Sequence, residues 1–315
     1  MALSDVANTL GRHYLRRFGV RVHKLAIDAG FTCPNRDGTK GRGGCTFCNN
    51  ASFSPNEGAS PSVPSQIASG RAVVRRRTGA ERYVAYFQAY TSTYGDVSSL
   101  RALYDQALAE PDVIGLSIGT RPDCVPDEVL DLLAEHRDAG REVWLELGLQ
   151  SSFDETLERV RRGHDFATYV SAVRRARARR LPICTHLIIG LPGESDAHAR
   201  VSLDRVLDLG VDGLKLHPLH VVSGTVLAAA LRRGHYEPWT FDQYVTTAAD
   251  LVARTPEHVV FHRLTATAKP PLLLGPDWCA SKWRVLNGIE AELRRRGQVQ
   301  GEAVAAESVW RVRAS

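Results

Sequence analysis

The stretch RVHKLAIDAGFTCPNRDGTKGRGGCTFCNN, residues 21–50, opens with a strand (21–28) and runs directly into a loop carrying Cys33, Cys45 and Cys48. Followed to residue 53, the loop holds five glycines and no fourth cysteine. Three thiols are one fewer than the four that close a structural zinc or iron–sulfur site. A strand that ends in a ligand-bearing loop also states how the chain is built, because α/β barrels keep their chemistry where strands end and loops begin.

The same unit recurs along the chain. Strands are expected at 82–90 (RYVAYFQAY), 111–119 (PDVIGLSIG), 141–150 (REVWLELGLQ), 181–190 (LPICTHLIIG) and 211–220 (VDGLKLHPLH), with helical segments between them. Several of these strands are near-continuously apolar, as in a parallel sheet covered by helices. Gly140 and Gly210 fall just before strands, where a helix C-cap belongs. Six βα units favour a partial (βα)6 TIM-like barrel over residues 1–220, with the cluster loop at 30–53, over a doubly wound sheet. The polar strand-end segments TSTYGD, GTRPD, QSS, GLPGES and HPLH support an enzyme. Residues 221–315, with helical pieces and a short strand HVVFHRL, read as a C-terminal helical extension packed on the barrel.

At 315 residues and 43% hydrophobic, the chain can bury a large core without staples. It has no apolar run long enough for a bilayer and no signal-peptide core at its N-terminus, so a cytoplasmic address and no membrane partner are expected. Six cysteines in a large chain without a secretory signal point to metal ligation rather than to disulfides. The net charge of +5 permits an anionic partner without demanding one.

Three cysteines fit a [4Fe–4S] cluster with one iron left open for a small molecule. Cys45-Thr-Phe-Cys48 has the tight spacing that reaches adjacent irons, and Gly38, Gly41, Gly43 and Gly44 let the long loop turn back. The eleven-residue gap after Cys33 leaves a zinc site completed by His23 or a distant cysteine open, as it does metal-free buried thiols.

The strand, cysteine loop and barrel together resemble the radical SAM superfamily, whose open iron chelates S-adenosyl-L-methionine. The usual spacing there is C-x3-C-x2-C. The expanded form FTCPNRDGTKGRGGCTFCN resembles the bacterial YhcC/YtqA-type proteins, a likeness that extends through WCASKWRVLNGIEAELRRRG. Longer spacing also occurs in the catalytic subunit of Elongator, and ELGLQSSFDETLERVRRGH is similar to both Elongator-type enzymes and coproporphyrinogen dehydrogenase. The resemblance implies Cys33, Cys45 and Cys48 as cluster ligands and S-adenosylmethionine as second cofactor. It places Tyr90, Thr91 and Ser92 at the methionine amino group, Gln150 at the ribose, and Arg162 at the methionine carboxylate. His186 stands where relatives carry a ribose-binding acid, and Gly119 where they carry Glu. Each of these polar residues has a bland alternative as a strand-end or helix-surface group. The implied chemistry is reductive cleavage to a 5′-deoxyadenosyl radical, fed by an electron donor such as flavodoxin or ferredoxin and sheltered by a lid from 51–64 or the C-terminal extension.

Lys215 and His217, at the sixth strand end, and Cys279, within PDWCASKW, are the candidates for contact with substrate. The family likeness points to the side chain of a tRNA wobble uridine. Arginine runs at 75–77, 174–180 and 294–296 would suit a tRNA backbone if they shared a face. A small-molecule substrate, a non-catalytic metal-bound RNA-binding scaffold, and an auxiliary cluster on Cys124, Cys184 and Cys279 are the competing readings.

Overall fold

The computed structural model describes residues 3–49 and 62–303. Strands β1 (Val22–Ile27), β2 (Arg82–Phe87), β3 (Val113–Thr120), β4 (Glu142–Gln150), β5 (Ile183–Ile189) and β6 (Gly213–Pro218) pair in sequence order, each parallel to the next. After a short β7 (Val221–Val222), strand β8 (Val260–Arg263) adds to β6, also parallel, with Gly213 opposite Val260. The partial barrel expected from the sequence is present, with seven parallel strands rather than six. The extra strand is HVVFHRL, which the sequence reading left in the C-terminal extension. Strand β9 (Leu273–Gly275) pairs antiparallel with β7 in a small separate sheet.

Helices follow each main strand: α3 (Val63–Thr78), α4 (Val97–Leu108), α5 (Asp127–Asp138), α6 (Asp154–Arg159) with α7 (Phe166–Ala178), and α8 (Asp196–Leu207). Asp96 and Asp165 cap α4 and α7 by accepting from the amides of Ser99 and Thr168 at 2.9 and 2.8 Å. The C-terminal segment supplies α9 (Val226–Arg232), α10 (Phe241–Arg254) and α11 (Lys282–Arg295). Residues 51–61, most of the first lid candidate, lie outside the described residues.

Two-residue alternation sorts the strand side chains. Leu25 and Ile27, Ala85 and Phe87, Leu116 and Ile118, Leu145 and Leu147, and Leu214 and Leu216 join one core between sheet and helices. Each such fully buried Leu or Ile contributes about 1.5–3 kcal/mol. The intervening positions, Lys24, Tyr86, Ser117, Glu146, His186 and Lys215, meet one another inside the barrel. The lumen is therefore polar, although strands such as VWLELGL read as near-continuously apolar.

The N-terminal segment spans the gap between β8 and β1. Thr9 bridges Phe261 in parallel register, and the Phe261 amide donates to the Asn8 carbonyl at 2.8 Å. Helix α2 (Leu10–Phe18) follows α1 (Leu3–Val6), and its Tyr14 packs against Val22 and Val84 at the base of the barrel. Arg17 reaches Glu142 at 3.1 Å.

Candidate active site

The cysteine loop is held by its own backbone and by the segment after β4. The Cys33 carbonyl accepts from the amides of Arg36 and Asp37 at 2.7 and 3.1 Å, and the Cys48 amide donates to Cys45 at 3.0 Å. Asn35 fastens the loop to the barrel: its Nδ2 donates to the carbonyls of Arg161 and Arg162, each at 2.9 Å, and lies 3.6 Å from Cys45 Sγ. Gly163 makes that contact possible. A Cβ there would lie 2.3 Å from Asn35 Oδ1, and its φ of +74° already disfavours a side chain.

Three guanidinium groups surround the thiols. Arg162 Nη1 points at Cys45 Sγ from 3.6 Å while its Nη2 donates to the Gly148 carbonyl at 2.6 Å. Arg121 Nη1 stands 4.0 Å from Cys33 Sγ, held by two bonds of 2.9 Å to Asp123, which Lys40 of the loop also contacts at 2.6 Å. Arg36 donates to the Cys48 carbonyl at 2.7 Å and lies over the Tyr90 ring. Burial pushes the Asp123 carboxyl up, but Arg121 and Lys40 outweigh it and bring it to about 2. Burial and the neighbouring Cys45 raise the Cys48 thiol, so this cationic frame favours the sulfurs only when they carry negative charge.

Beside the loop the chain turns sharply, with Tyr90 at φ 54°. Thr91 and Ser92 donate their amides to Thr32 and Gly119 at 3.3 and 3.2 Å. Their hydroxyls are buried without partners, an arrangement that costs roughly 1–3 kcal/mol each until something binds. Arg162 Nε is buried and unpartnered as well.

Deeper in the lumen, Glu146 is fully buried and accepts from Lys24, Lys215, Ser117 and, at 2.8 Å, His186. Burial alone would raise its carboxyl; Lys215 and Lys24 instead hold it well below the usual range. Burial lowers Lys24 to about 8 and His186 to about 4, the latter helped by Lys215. Burial also lowers His217, and Arg263 and His186 push it further; His217 stacks with His186 at 5.8 Å and its Nε2 has no partner.

The loop, the turn and the upper lumen enclose one cavity of about 830 Å³, lined by Cys33, Cys45, Cys48, Tyr90, Thr91, Gln150, Arg162, His186 and His217 among others. The profile of the Radical SAM superfamily matches residues 33–206, and that of the Radical_SAM C-terminal domain matches 211–295. This chain belongs to the radical SAM superfamily. It is 49% identical over 304 residues to protein YhcC of Escherichia coli (strain K12), covering 96% of this chain and 97% of YhcC. To protein YtqA of Bacillus subtilis (strain 168) it is 39% identical over 296 residues, 94% of this chain and 92% of YtqA. Similarity to the tRNA uridine(34) acetyltransferase of Dehalococcoides mccartyi (strain CBDB1) is partial, 32% over 161 residues, covering 50% of this chain and 34% of that protein. Among solved structures, Elp3 of Methanocaldococcus infernus, lacking N-terminal residues 1–46, shares the fold with a TM-score of 0.67 at 17% identity, over 89% of this chain and 64% of that one.

Radical SAM proteins use a [4Fe–4S] cluster and S-adenosylmethionine, and the residues present fit both. Among the described residues, the one set of three metal-ligating atoms within 4.8 Å of one another is Glu146, Cys184 and His186. At least one pair of the loop thiols therefore stands farther apart than the ligands of one tetrahedral zinc, whose sulfurs would be about 3.8 Å apart. The unpartnered Thr91 hydroxyl and Arg162 Nε beside the loop suit an amino acid's ammonium and carboxylate groups.

The remaining candidates separate. Ser92 is fully buried behind Thr91, and the backbone O of Ser92 accepts from Tyr104 at 2.7 Å. Lys215, expected at the strand end facing the site, is instead buried in mid-lumen, its amine shared between Glu146 and Tyr86. Cys279 is fully buried in the turn Asp277–Ala280, off the cavity wall. Burial raises the Cys124 and Cys279 thiols to about 12 and keeps Cys184 protonated too, so these three behave as core side chains. At Gly119, where relatives carry Glu, a Cβ would lie 3.1 Å from the Phe87 carbonyl, a tight contact that the backbone of β2 would have to yield slightly to admit. Sequence reading missed Asn35, Arg36, Arg121, Lys24, Glu146 and His262. The charged residues Lys24 and Glu146, set inside apolar strands, were the available signal for a polar lumen.

Proposed function

We propose that this radical SAM protein modifies the side chain of a tRNA wobble uridine, and that Cys33, Cys45 and Cys48 hold its cluster. Bound together, the cluster and S-adenosylmethionine supply hydrogen-atom abstraction from an unactivated carbon. The chain's own residues orient and shelter that chemistry. Arg162 pairs with the methionine carboxylate, Thr91 and the Tyr90 turn receive the amino group, and Gln150 and His186 meet the ribose. His186, neutral because burial lowers it to about 4, offers a hydrogen-bond acceptor without a competing charge. The enclosing barrel keeps water from the reacting carbon.

The substrate class rests on one observation: the partial likeness, 32% over 161 residues, to a tRNA uridine(34) acetyltransferase. An electron donor of the flavodoxin or ferredoxin class completes the reading. A glycine-derived methylene, as in a carboxymethylaminomethyl group on the wobble uridine, is a suitable hydrogen donor, since the resulting radical is stabilised by its amino and carboxylate neighbours. Reconstituted protein with dithionite, S-adenosylmethionine and deuterium-labelled tRNA is expected to move deuterium into 5′-deoxyadenosine. Absence of transfer from every tRNA pool, with an intact cluster verified, overturns the reading.

A further inference from the structure

One edge of the cavity carries cations with no carboxylate opposite them. Arg263 ends β8, is exposed, lines the cavity and makes no ion pair among the described residues. Lys282 opens α11, lines the same cavity and is likewise unpaired. The two feel each other: desolvation against the wall and then the Arg263 charge lower the Lys282 ammonium. Arg263 also acts on His217 in the floor. Two like charges on one cavity edge repel each other, and an anion placed between them would relieve that repulsion.

Immediately beside them stands an indole in water. Trp283 is 69% exposed, the most exposed large hydrophobic side chain among the described residues, and the Lys282 ammonium lies 5.4 Å from its ring centroid. Leu286, one helical turn from Lys282, returns to the cavity wall, so Trp283 flanks the stripe of α11 that faces the site. Some other arginines are satisfied by acids, Arg175, Arg177 and Arg179 by Asp127, Asp212 and Asp131, and Arg294, Arg295 and Arg296 by Glu290 and Glu292; what sets Arg263 and Lys282 apart from the remaining exposed cations is their place on the cavity edge. An aromatic face next to unpaired cations is the arrangement that holds a single-stranded nucleotide, with base on ring and phosphate on cation.

We propose that Arg263, Lys282 and Trp283 form a binding site for one nucleotide of an RNA chain, neighbouring the nucleotide whose base enters the cavity. The phosphate sits between Arg263 and Lys282, and the base stacks on Trp283. This rests on the RNA reading given above and specifies how the RNA is held.

The test is a titration of the cluster-loaded full chain with fluorescently labelled tRNA and with a single-stranded anticodon-loop oligonucleotide, repeated over a range of salt. Trp283→Ala is expected to weaken binding roughly 5- to 100-fold, and Trp283→Phe to retain most of it. Arg263→Gln and Lys282→Gln are each expected to lower the salt slope by about 1. All three positions of change are on exposed side chains, and matching thermal melts and cluster absorbance verify the variants. Wild-type binding that Trp283→Ala leaves intact overturns the site while the tRNA reading stands. A reduced salt slope without any effect of Trp283→Ala reveals a plain anion site and also overturns it. Failure of the wild type to bind any tRNA removes the RNA reading itself, and this site with it.

Discussion

Glu146 faces two lysines and two histidines in a lumen where none of them is well hydrated. Such a group is costly to assemble, and costlier still to leave half made, because removing one partner strands the others' charge. Glu146→Gln is therefore expected to destabilise the fold by about 3–5 kcal/mol in urea melts. Replacing Glu146 and Lys215 together by Leu and Met should recover a good part of that loss, since the two effects are coupled through one contact. A single-variant loss under about 1 kcal/mol would show that water reaches the network and that it is not a closed structural unit. The same residues mark what the sequence hid. Glu146 sits in VWLELGL and Lys24 in VHKLAI, runs whose apolar residues dominate. Only the sheet's curl turns alternate residues of those runs onto a shared interior, and curl is set by pairing between strands far apart in sequence.

At the level of elements, the site depends on how one loop is fastened to two strand ends. Asn35 ties it to the segment after β4, and Lys40 ties it through Asp123 to Arg121 at the end of β3. Gly163→Ala should force Asn35 away, lowering iron and sulfide bound per chain after reconstitution while changing the melting temperature little. Equal iron content in the variant would mean that the loop finds its place without Asn35. The Lys40–Asp123 tie has a pH signature. The Asp123 carboxyl, ordinarily near 3.8, is held at about 2 in the folded chain, so its stabilisation is present above about pH 4 and lost as pH falls toward 2. Asp123→Asn should flatten that part of the acid-unfolding profile, and an unchanged profile would place the acid transition elsewhere. Strands and helices were legible here because their periodicity is local; even the turn at 89–93 was singled out by its position. The clamps were not, since Asn35 and Arg162 are 127 residues apart and neither type is unusual in a loop or a helix end.

For the whole molecule, the arginine runs and the C-terminal segment read differently in three dimensions. The runs at 75–77, 174–180 and 294–296 fall at the C-terminal ends of α3, α7 and α11, and the charge of the latter two is partly paired locally. Residues beyond 220, by contrast, are part of the barrel. Strand β8 extends the sheet at β6, α10 and α11 cover it, and the chain's start is pinned to this region by Asn8 on Phe261 and by Gln300 on Val6. A chain ending at His220 loses that strand and leaves the edge of β6 and the apolar residues beneath α10 open to water. We expect such a chain to collapse without a cooperative unfolding transition and to expose apolar surface to a hydrophobic dye. Supplying residues 221–315 as a second chain should restore both cooperativity and cluster uptake if docking of β8 is what completes the fold. A shortened chain that melts cooperatively by itself would instead make residues 1–220 an independent domain, and β8 an ornament on its edge.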